Sequence, residues 1–490
     1  MPVAEVAGVV VPHPADVFIG GSWVPGRGGE RTVISPSTEE PVIRVALPSL
    51  EQARDAVTSA YEEGRKNWST LPVAERVAAL TRFVELLESR VDDMGVLWAA
   101  EAGMSVRHGH LLHKYAASAA WRSTLAVAEE TLADEVRKGS PGEVIVRHEP
   151  VGVVVGVISY NGPVVTIGTK IIPALVAGNP VVVKGASDSQ LILRVVAECA
   201  EQADLPAGTL SILCCSADVA SALTRDERVA LVSITGGHGA AQDIIDATRD
   251  RYARTHLELG GKSAALVLPD ADFDHVLKVL RMGSAAGTGQ VCALLSRILV
   301  PRERHDEFVE KIVAVWRELR VGDPFDPETA VGPLTNRAAY ERTESFLAKA
   351  LEEGGTVVYG GGRPEGYDRG WYYLPTIVTD VARDSHLAQE EVFGPITAII
   401  AYDGIEDGIA AANDSKFGLS GAVFTRDLQL GIDTAKRIES GAVGVNMFGP
   451  DVTAPWGGVK QSGWGREGGP EGILEFTETK QIAYNSPRTE

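Results

Sequence analysis

Val151-Gly152-Val153-Val154-Val155-Gly156-Val157-Ile158 runs directly into Ser159-Tyr160-Asn161-Gly162-Pro163. Eight apolar or small residues with no polar alternation read as a strand covered on both faces, the habit of parallel sheets. A turn and a helix over about 164–177 follow. The pattern then repeats. Strands Pro180–Lys184, Ser211–Cys215 and Leu231–Ile234 alternate with helical stretches near 188–203, 217–225 and 239–252. Repeated βαβ units predict an open, doubly wound sheet that places ligands at the C-terminal ends of its strands.

Upstream, residues 1 to about 48 read as short strands and turns. Residues 50–135 are mostly helical: Ala53, Ala56, Val57 and Ala60, then Val77, Leu80, Val84 and Leu87, recur at helical spacing. Downstream of Gly260 a second α/β set is expected. It comprises strand Ala264–Leu268, helix 273–286, strand Ile298–Val300, helix 304–319, and strand-like regions Thr356–Tyr359, Trp371–Val378 and Gly394–Tyr402. The tail Ile473–Tyr484 reads as a strand with little to pack on. With Glu143–Arg147 it would form a projecting, hairpin-like element that meets another subunit.

The chain has 490 residues, enough for two or three domains with substantial cores. A formal net charge of −20 argues against a nucleic-acid partner. The four cysteines, 199, 214, 215 and 292, show no metal-ligand spacing and no disulfide framework. That pattern, with no signal-like N-terminus and no long apolar run, predicts a cytoplasmic protein without a membrane span.

Chemistry concentrates around Cys292, in Gly287-Thr288-Gly289-Gln290-Val291-Cys292-Ala293. Upstream lies Leu257-Glu258-Leu259-Gly260-Gly261-Lys262. A thiol that attacks an aldehyde gives a thiohemiacetal; loss of hydride gives a thioester, and a base-activated water releases the acid. Glu258, flanked by leucines, is the candidate base, because desolvation raises a carboxylate's pKa. Asn161 offers an amide that cannot ionise, suited to an oxyanion beside the Cys292 backbone N–H; read alone it is an ordinary Asx turn. Lys184 ends a buried strand where ribose hydroxyls or a phosphate can bind. Thr235-Gly236-Gly237-His238 opens a helix and can approach a pyrophosphate, although no strict GxGxxG is present. Glu391-Val392-Phe393 pairs a carboxylate with an aromatic, fit for a ribose and a nicotinamide ring. Pro455 to Glu467 reads as a long ordered loop. His108, His110 and His113 cluster on a helical stretch, where a solvated or pocket-lining face is the simpler reading and no metal site is expected.

Those residues together resemble the NAD(P)-dependent aldehyde dehydrogenase superfamily over essentially the whole length. The resemblance rests on the Leu257–Lys262 stretch and on Gly289-Gln290-Val291-Cys292 with Ser296-Arg297. It rests also on Glu391–Pro395, on Gly444-Val445-Asn446, and on Pro455-Trp456-Gly457-Gly458 through Gly465-Arg466-Glu467. It implies Cys292 as nucleophile, Glu258 as base and Asn161 as oxyanion donor. It further implies a cofactor site of Lys184, Ser187, Asp188, Gly236, Gly237, Ala241, Glu391, Phe393, Ser159, Tyr160 and Leu259. The implied architecture is a coenzyme-binding domain (1–127 and 151–259), a catalytic domain (260–448), an oligomerisation arm (128–150 and 471–490) and a site-proximal loop (449–470), assembled as a homodimer or homotetramer.

Departures from the family pattern shape the finer expectations. The usual Pro-Trp-Asn is Ser159-Tyr160-Asn161. The usual Lys-Pro-Ser-Glu is Lys184-Gly185-Ala186-Ser187, which removes the glutamate that grips the ribose; Asp188 is the nearest replacement. NAD is expected, with NADP open. The usual second glycine of the pyrophosphate turn is Ala241. Gly162, Thr166 and Thr169, with Phe448, are the expected substrate-pocket residues, and their small size suggests a medium or large aliphatic, terpenoid or aromatic aldehyde. A CoA-acylating enzyme is the second reading, disfavoured by Glu258, and a non-catalytic protein that keeps the fold is the third.

Overall fold

Register explains why the motifs meet. In the computed structural model, which describes residues 4–140, 142–449 and 451–485, five parallel strands lie side by side. Their order is Arg254–Glu258, Val229–Thr235, Val153–Val157, Val181–Gly185 and Leu210–Cys214. The chain order across the sheet is thus fifth, fourth, first, second, third. The direction of winding reverses between Val153–Val157 and Val229–Thr235, and a crevice opens there beyond the strand ends. Lys184 pairs with Val157, Ile234 with Val157, and Thr235 with Glu258, so the ends of four strands finish level. Asp16–Ile19 and Ser22–Pro25 extend one edge antiparallel.

The opposite edge corrects the sequence expectation. Gly463–Trp464, expected within a loop, adds an antiparallel strand beside Arg254–Glu258, with Glu258 opposite Gly463. Val459–Lys460 pairs with Phe417–Gly418. Two-residue strands rich in glycine carry no alternation to read.

The second sheet runs Thr356–Tyr359, Thr376–Thr379, Ile396–Tyr402, Arg297–Pro301, Ala264–Val267, Ser420–Phe424 and Ala442–Val445. All neighbours are parallel except the first pair. A helix over Arg337–Glu352, absent from the sequence expectation, packs through Thr343, Phe346, Leu347 and Ala350. Its apolar stripe is narrow and its other faces are charged. Asn336 caps it by accepting from the Ala339 N–H at 3.0 Å.

The helical stretch after Asn161 is Pro163–Thr166, a wider π turn over Ile167–Ile171, then Ile172–Val176. It is almost wholly buried against the first sheet. The tail forms a helix, Gly469–Leu474, and only then the strand Thr477–Tyr484. That strand pairs residue for residue with Glu143–Pro150, and Glu135–Lys138 lines the far edge. Ile473 is therefore helical, and the hairpin-like element is a three-stranded sheet. Residues 1–3, 141, 450 and 486–490, which fall within the expected coenzyme domain, arm and loop, lie outside the described residues. No helix among the described residues is long and apolar enough to cross a membrane.

Candidate active site

A cleft of about 750 Å³ opens at the row of strand ends. Ser159, Tyr160, Asn161, Lys184, Gly236, Gly237, Glu258, Leu259, Cys292, Glu391 and Phe393 all line it. Eleven residues from distant parts of the sequence thus share one cavity, of a size suited to a cofactor and a small substrate.

Cys292 sits at its floor on a tightly wound loop. Gly287, Thr288 and Gly289 are all left-handed, with φ of 57°, 56° and 74°. Thr288 carries strain of roughly 1 kcal/mol for this, and its Oγ1 donates to the Gly332 carbonyl at 3.0 Å. A side chain at Gly289 would press within 2.2 Å of Gly394, so glycine is what lets this loop lie on Glu391–Pro395. Gln290 ties the rest. Its Oε1 accepts from the Tyr160 hydroxyl and from the Thr335 N–H, both at 3.1 Å, and its Nε2 donates to the Gly287 carbonyl at 3.2 Å. Burial lifts the Tyr160 hydroxyl above its usual range, so it remains a donor.

Burial, with Glu391, Glu258 and Glu467 near by, pushes the Cys292 thiol up to about 12; its own backbone N–H offsets this in part. The resting sulfur is therefore a thiol, and attack needs a base or an incoming positive charge. Glu258 is 4% exposed. Burial first, and then the Glu467 charge, raise it well above the usual carboxylate range, while Lys170, the Gly458 N–H and Arg466 pull the other way. Lys170 is fully buried and pairs with Glu467 at 2.7 Å, off the axis of a good hydrogen bond. Two carboxyl groups and one ammonium thus share a nearly dry space behind the thiol.

Asn161 Oδ1 accepts from Ser159 Oγ at 2.6 Å. The free end of its amide is then Nδ2, a donor. Phe393 is left-handed (φ 54°) and meets the Tyr160 ring edge-on at 6.2 Å. Glu391 Oε1 accepts from the Gly261 N–H at 3.0 Å, and burial raises its pKa. A side chain at Gly260 would fall 2.1 Å from Glu391 Oε2. Arg342, on the helix the sequence did not announce, donates to the carbonyls of Glu391 and Val392 and faces the cleft. Lys416 joins the lining and pairs with Glu390 at 2.5 Å.

Other expected residues sit elsewhere. Asp188 accepts from Arg31 at 2.9 Å and from Asn336 Nδ2 at 3.2 Å, and it does not line the cleft. Ser187 and Ala241 are absent from the lining, Ala241 being buried beneath its helix. Phe448 lies beside Gly283 and packs against the apolar cluster that includes Leu295. Thr166 bonds back to the carbonyls of Gly162 and Pro163. Thr169 is partly exposed while its hydroxyl is buried without a partner. At Gly162 a methyl group would meet nothing within 4 Å.

The histidines divide. His110 is partly exposed beside Asp92, whereas His108 and His113 lie against Trp98 and burial holds both rings neutral. The expected solvated or pocket-lining face holds for His110, which lines a surface pocket with Asp92 and Arg107, and is corrected for His113, which is fully buried. Among the described residues no group of three or more His, Cys, Asp or Glu is placed to hold a metal ion. Sequence reasoning missed Lys170, Arg342 and Lys416, and it met Gln290 and Glu467 only inside motifs.

The aldehyde dehydrogenase family model matches residues 23–482, nearly the whole chain. This chain is an aldehyde dehydrogenase family member. Geranial dehydrogenase of Castellaniella defragrans is 37% identical over 469 residues, covering 95% of this chain and 98% of that protein. Hydroxyisobutyraldehyde dehydrogenase of Mycolicibacterium austroafricanum is 33% identical, covering 96% and 94%. A Mycobacterium tuberculosis aldehyde dehydrogenase solved with NAD+ superposes with a TM-score of 0.95 at 36% identity, covering 98% of this chain and all of that one. The protein is accordingly an oxidoreductase that acts on aldehydes.

Proposed function

We propose that this aldehyde dehydrogenase oxidises a medium or large aldehyde to the carboxylic acid with NAD+, by a hydrolytic route. Cys292 attacks the carbonyl carbon to form a thiohemiacetal, and the thiol proton passes to Glu258. Asn161 Nδ2 and the Cys292 N–H receive the developing oxyanion. A bound nicotinamide dinucleotide supplies the hydride acceptor for the oxidation to a thioester. Glu258 first gives up the thiol proton, then takes one from water as the oxygen attacks the thioester carbon, and returns it to the departing Cys292 sulfur to restore the thiol. The Glu467–Lys170 pair sits where that proton can be handed on.

The cleft suits the dinucleotide on its own terms. It lies at the crossover of winding in the sheet. Gly237 opens the helix His238–Thr248 with room around it. Lys184 and Arg342 supply positive charge in an otherwise acidic protein, and Glu391 stands ready for ribose hydroxyls. NAD+ in the Mycobacterium tuberculosis relative supports the choice. Asp188, the carboxylate that follows Lys184, is paired with Arg31 and lies outside the cleft lining, which tempers its repulsion of a 2′-phosphate, so NADP stays in the test. Glu258, a buried base, supports water over CoA as the acceptor of the acyl group.

The open space at Gly162 is the observation that carries the substrate reading. Rates on an aldehyde panel with either cofactor, with and without CoA, test it. Larger aldehydes should have the higher kcat/KM. Gly162→Phe should cut kcat/KM for large aldehydes by about tenfold or more while sparing small ones, since filling a pocket by several methylene-sized units changes discrimination on that order. Acetaldehyde as the preferred substrate of the unaltered enzyme would sink the size argument.

A further inference from the structure

The ammonium behind the base has a second partner, and that partner has a third. Lys170 Nζ donates to Ser233 Oγ at 3.3 Å, and Ser233 Oγ lies 3.1 Å from His256 Nδ1. All three side chains are sealed from solvent. Ser233 and His256 are directly paired across neighbouring parallel strands, as are Thr235 and Glu258. Residues two apart share a face of a strand, so His256 and Glu258 lie on one side of the sheet, beside the π turn that carries Lys170.

An ammonium has only donors, so the Ser233 oxygen accepts from Lys170. That oxygen keeps a second lone pair and its own O–H, so the ring tautomer sets which way the bond to His256 Nδ1 runs. Burial and the cations Lys170, Arg466 and Arg254 hold that ring neutral. Nε2 has no partner among the described residues; the ring is closed in by Gly465, where a side chain would come within 2.3 Å, and by Phe476. Two apolar residues would fill this space without a buried ring nitrogen lacking a partner. A serine and a histidine in series give the buried Lys170 a polar support.

We propose that Ser233 and His256 are positioning residues that hold Lys170 aimed at Glu467 behind Glu258, and so tune Glu258 as a base. The groups facing Glu258 are Glu467, Lys170, Arg466 and the Gly458 N–H, with Cys292 across the cleft. The Lys170 charge lowers the Glu258 pKa. Moving that charge away from Glu258 raises it further, and the acid limb of activity moves to higher pH.

The kinetic arm of the test rests on the dehydrogenase reading; a second arm does not. For the first, kcat is measured against pH for the unaltered enzyme, Ser233→Ala, His256→Leu and His256→Asn. The alanine and leucine variants should move the acid limb up by ~0.5 pH unit or more. KM for the aldehyde should stay within about twofold, since uniform binding is untouched. His256→Asn, which keeps an acceptor for the serine hydroxyl, should bring the limb back. For the second arm, the rate of Cys292 alkylation by iodoacetamide is followed against pH, with neither aldehyde nor cofactor. Ionised Glu258 disfavours the thiolate, so its titration appears as an inflection that should move with the same variants. An unaltered enzyme inactive on every aldehyde would refute the functional reading and leave this arm to decide. Ser233→Ala, a one-atom deletion, carries the test if the leucine variant does not fold. Folded variants whose limb and inflection coincide with those of the unaltered protein would overturn the proposal, as would an asparagine variant no better than leucine.

Discussion

Burial lifts Glu258 above the ordinary carboxylate range and holds Cys292 as a thiol near 12. Neither shift alone gives a catalyst, but the pair gives a thiol whose proton has a local destination. As the proposed base, Glu258 would act only when ionised, and its pKa is raised, so kcat should climb with pH through an apparent pKa above the usual carboxylate value and fall as pH drops below it. Glu258→Gln should lower kcat by ~10²–10⁴, the range typical for loss of a general base, and should flatten that limb. Intact-protein mass spectrometry after one turnover should find the acyl group trapped on Cys292; a variant that turns over freely would remove Glu258 from this role. Cys292, Glu258 and Asn161 were legible in the sequence because each lies in a dense, glycine-rich stretch whose chemistry is local. Lys170 was not, because a single lysine in an apolar helical run names no partner. Its partners Glu467 and Ser233 come from other parts of the chain and meet it only through sheet register.

Parallel strands announced themselves as unbroken apolar runs, and with them the crossover that locates the cleft. The edge strand Gly463–Trp464 and the helix Arg337–Glu352 did not, the first for want of length and the second for want of a broad apolar face. Both matter to the site, since one flanks Glu258 and the other brings Arg342 to the Glu391 segment. The contact between Gly260 and Glu391 is the joint between the two halves. Gly260→Ala would thrust a methyl group into the Glu391 carboxylate, 2.1 Å away, and the carboxylate must move. The Gly261 N–H would lose its acceptor, and the proposed ribose site would lose its shape. Cofactor affinity should fall about tenfold, the loss of one charge-assisted hydrogen bond, while far-ultraviolet circular dichroism stays unchanged. Titration of intrinsic fluorescence with NAD+ reads this directly. An unchanged affinity would mean that Glu391 does not hold the cofactor in its present pose.

The three-stranded sheet of Thr477–Tyr484, Glu143–Pro150 and Glu135–Lys138 lies largely open to solvent along its two outer strands. Seven of the eight residues of its first strand are exposed, as is the whole of Glu135–Lys138. Val136, Ile482 and Tyr484 present apolar side chains to solvent at 59%, 40% and 40%. A small sheet covered on neither face is marginal in water, because it has no core to offset the ordering of its chain. A second copy of the chain would supply that cover, in line with the oligomer that the sequence resemblance implied. The edge strand Glu135–Lys138 carries charge at three of its four positions, which blunts open-ended edge pairing and favours a closed assembly. Ile482→Asp combined with Val136→Asp should place unpaired charge in such an interface, where each desolvated carboxylate costs several kcal/mol. Light scattering coupled to size exclusion should then report a mass near the 52.0 kDa of one chain, against a multiple of it for the unaltered protein. The cleft lies apart from these strands, so the dissociated variant should still bind NAD+, and a change in mass can be told from a loss of fold. An unaltered protein that runs as a monomer would leave this sheet needing another partner to cover it.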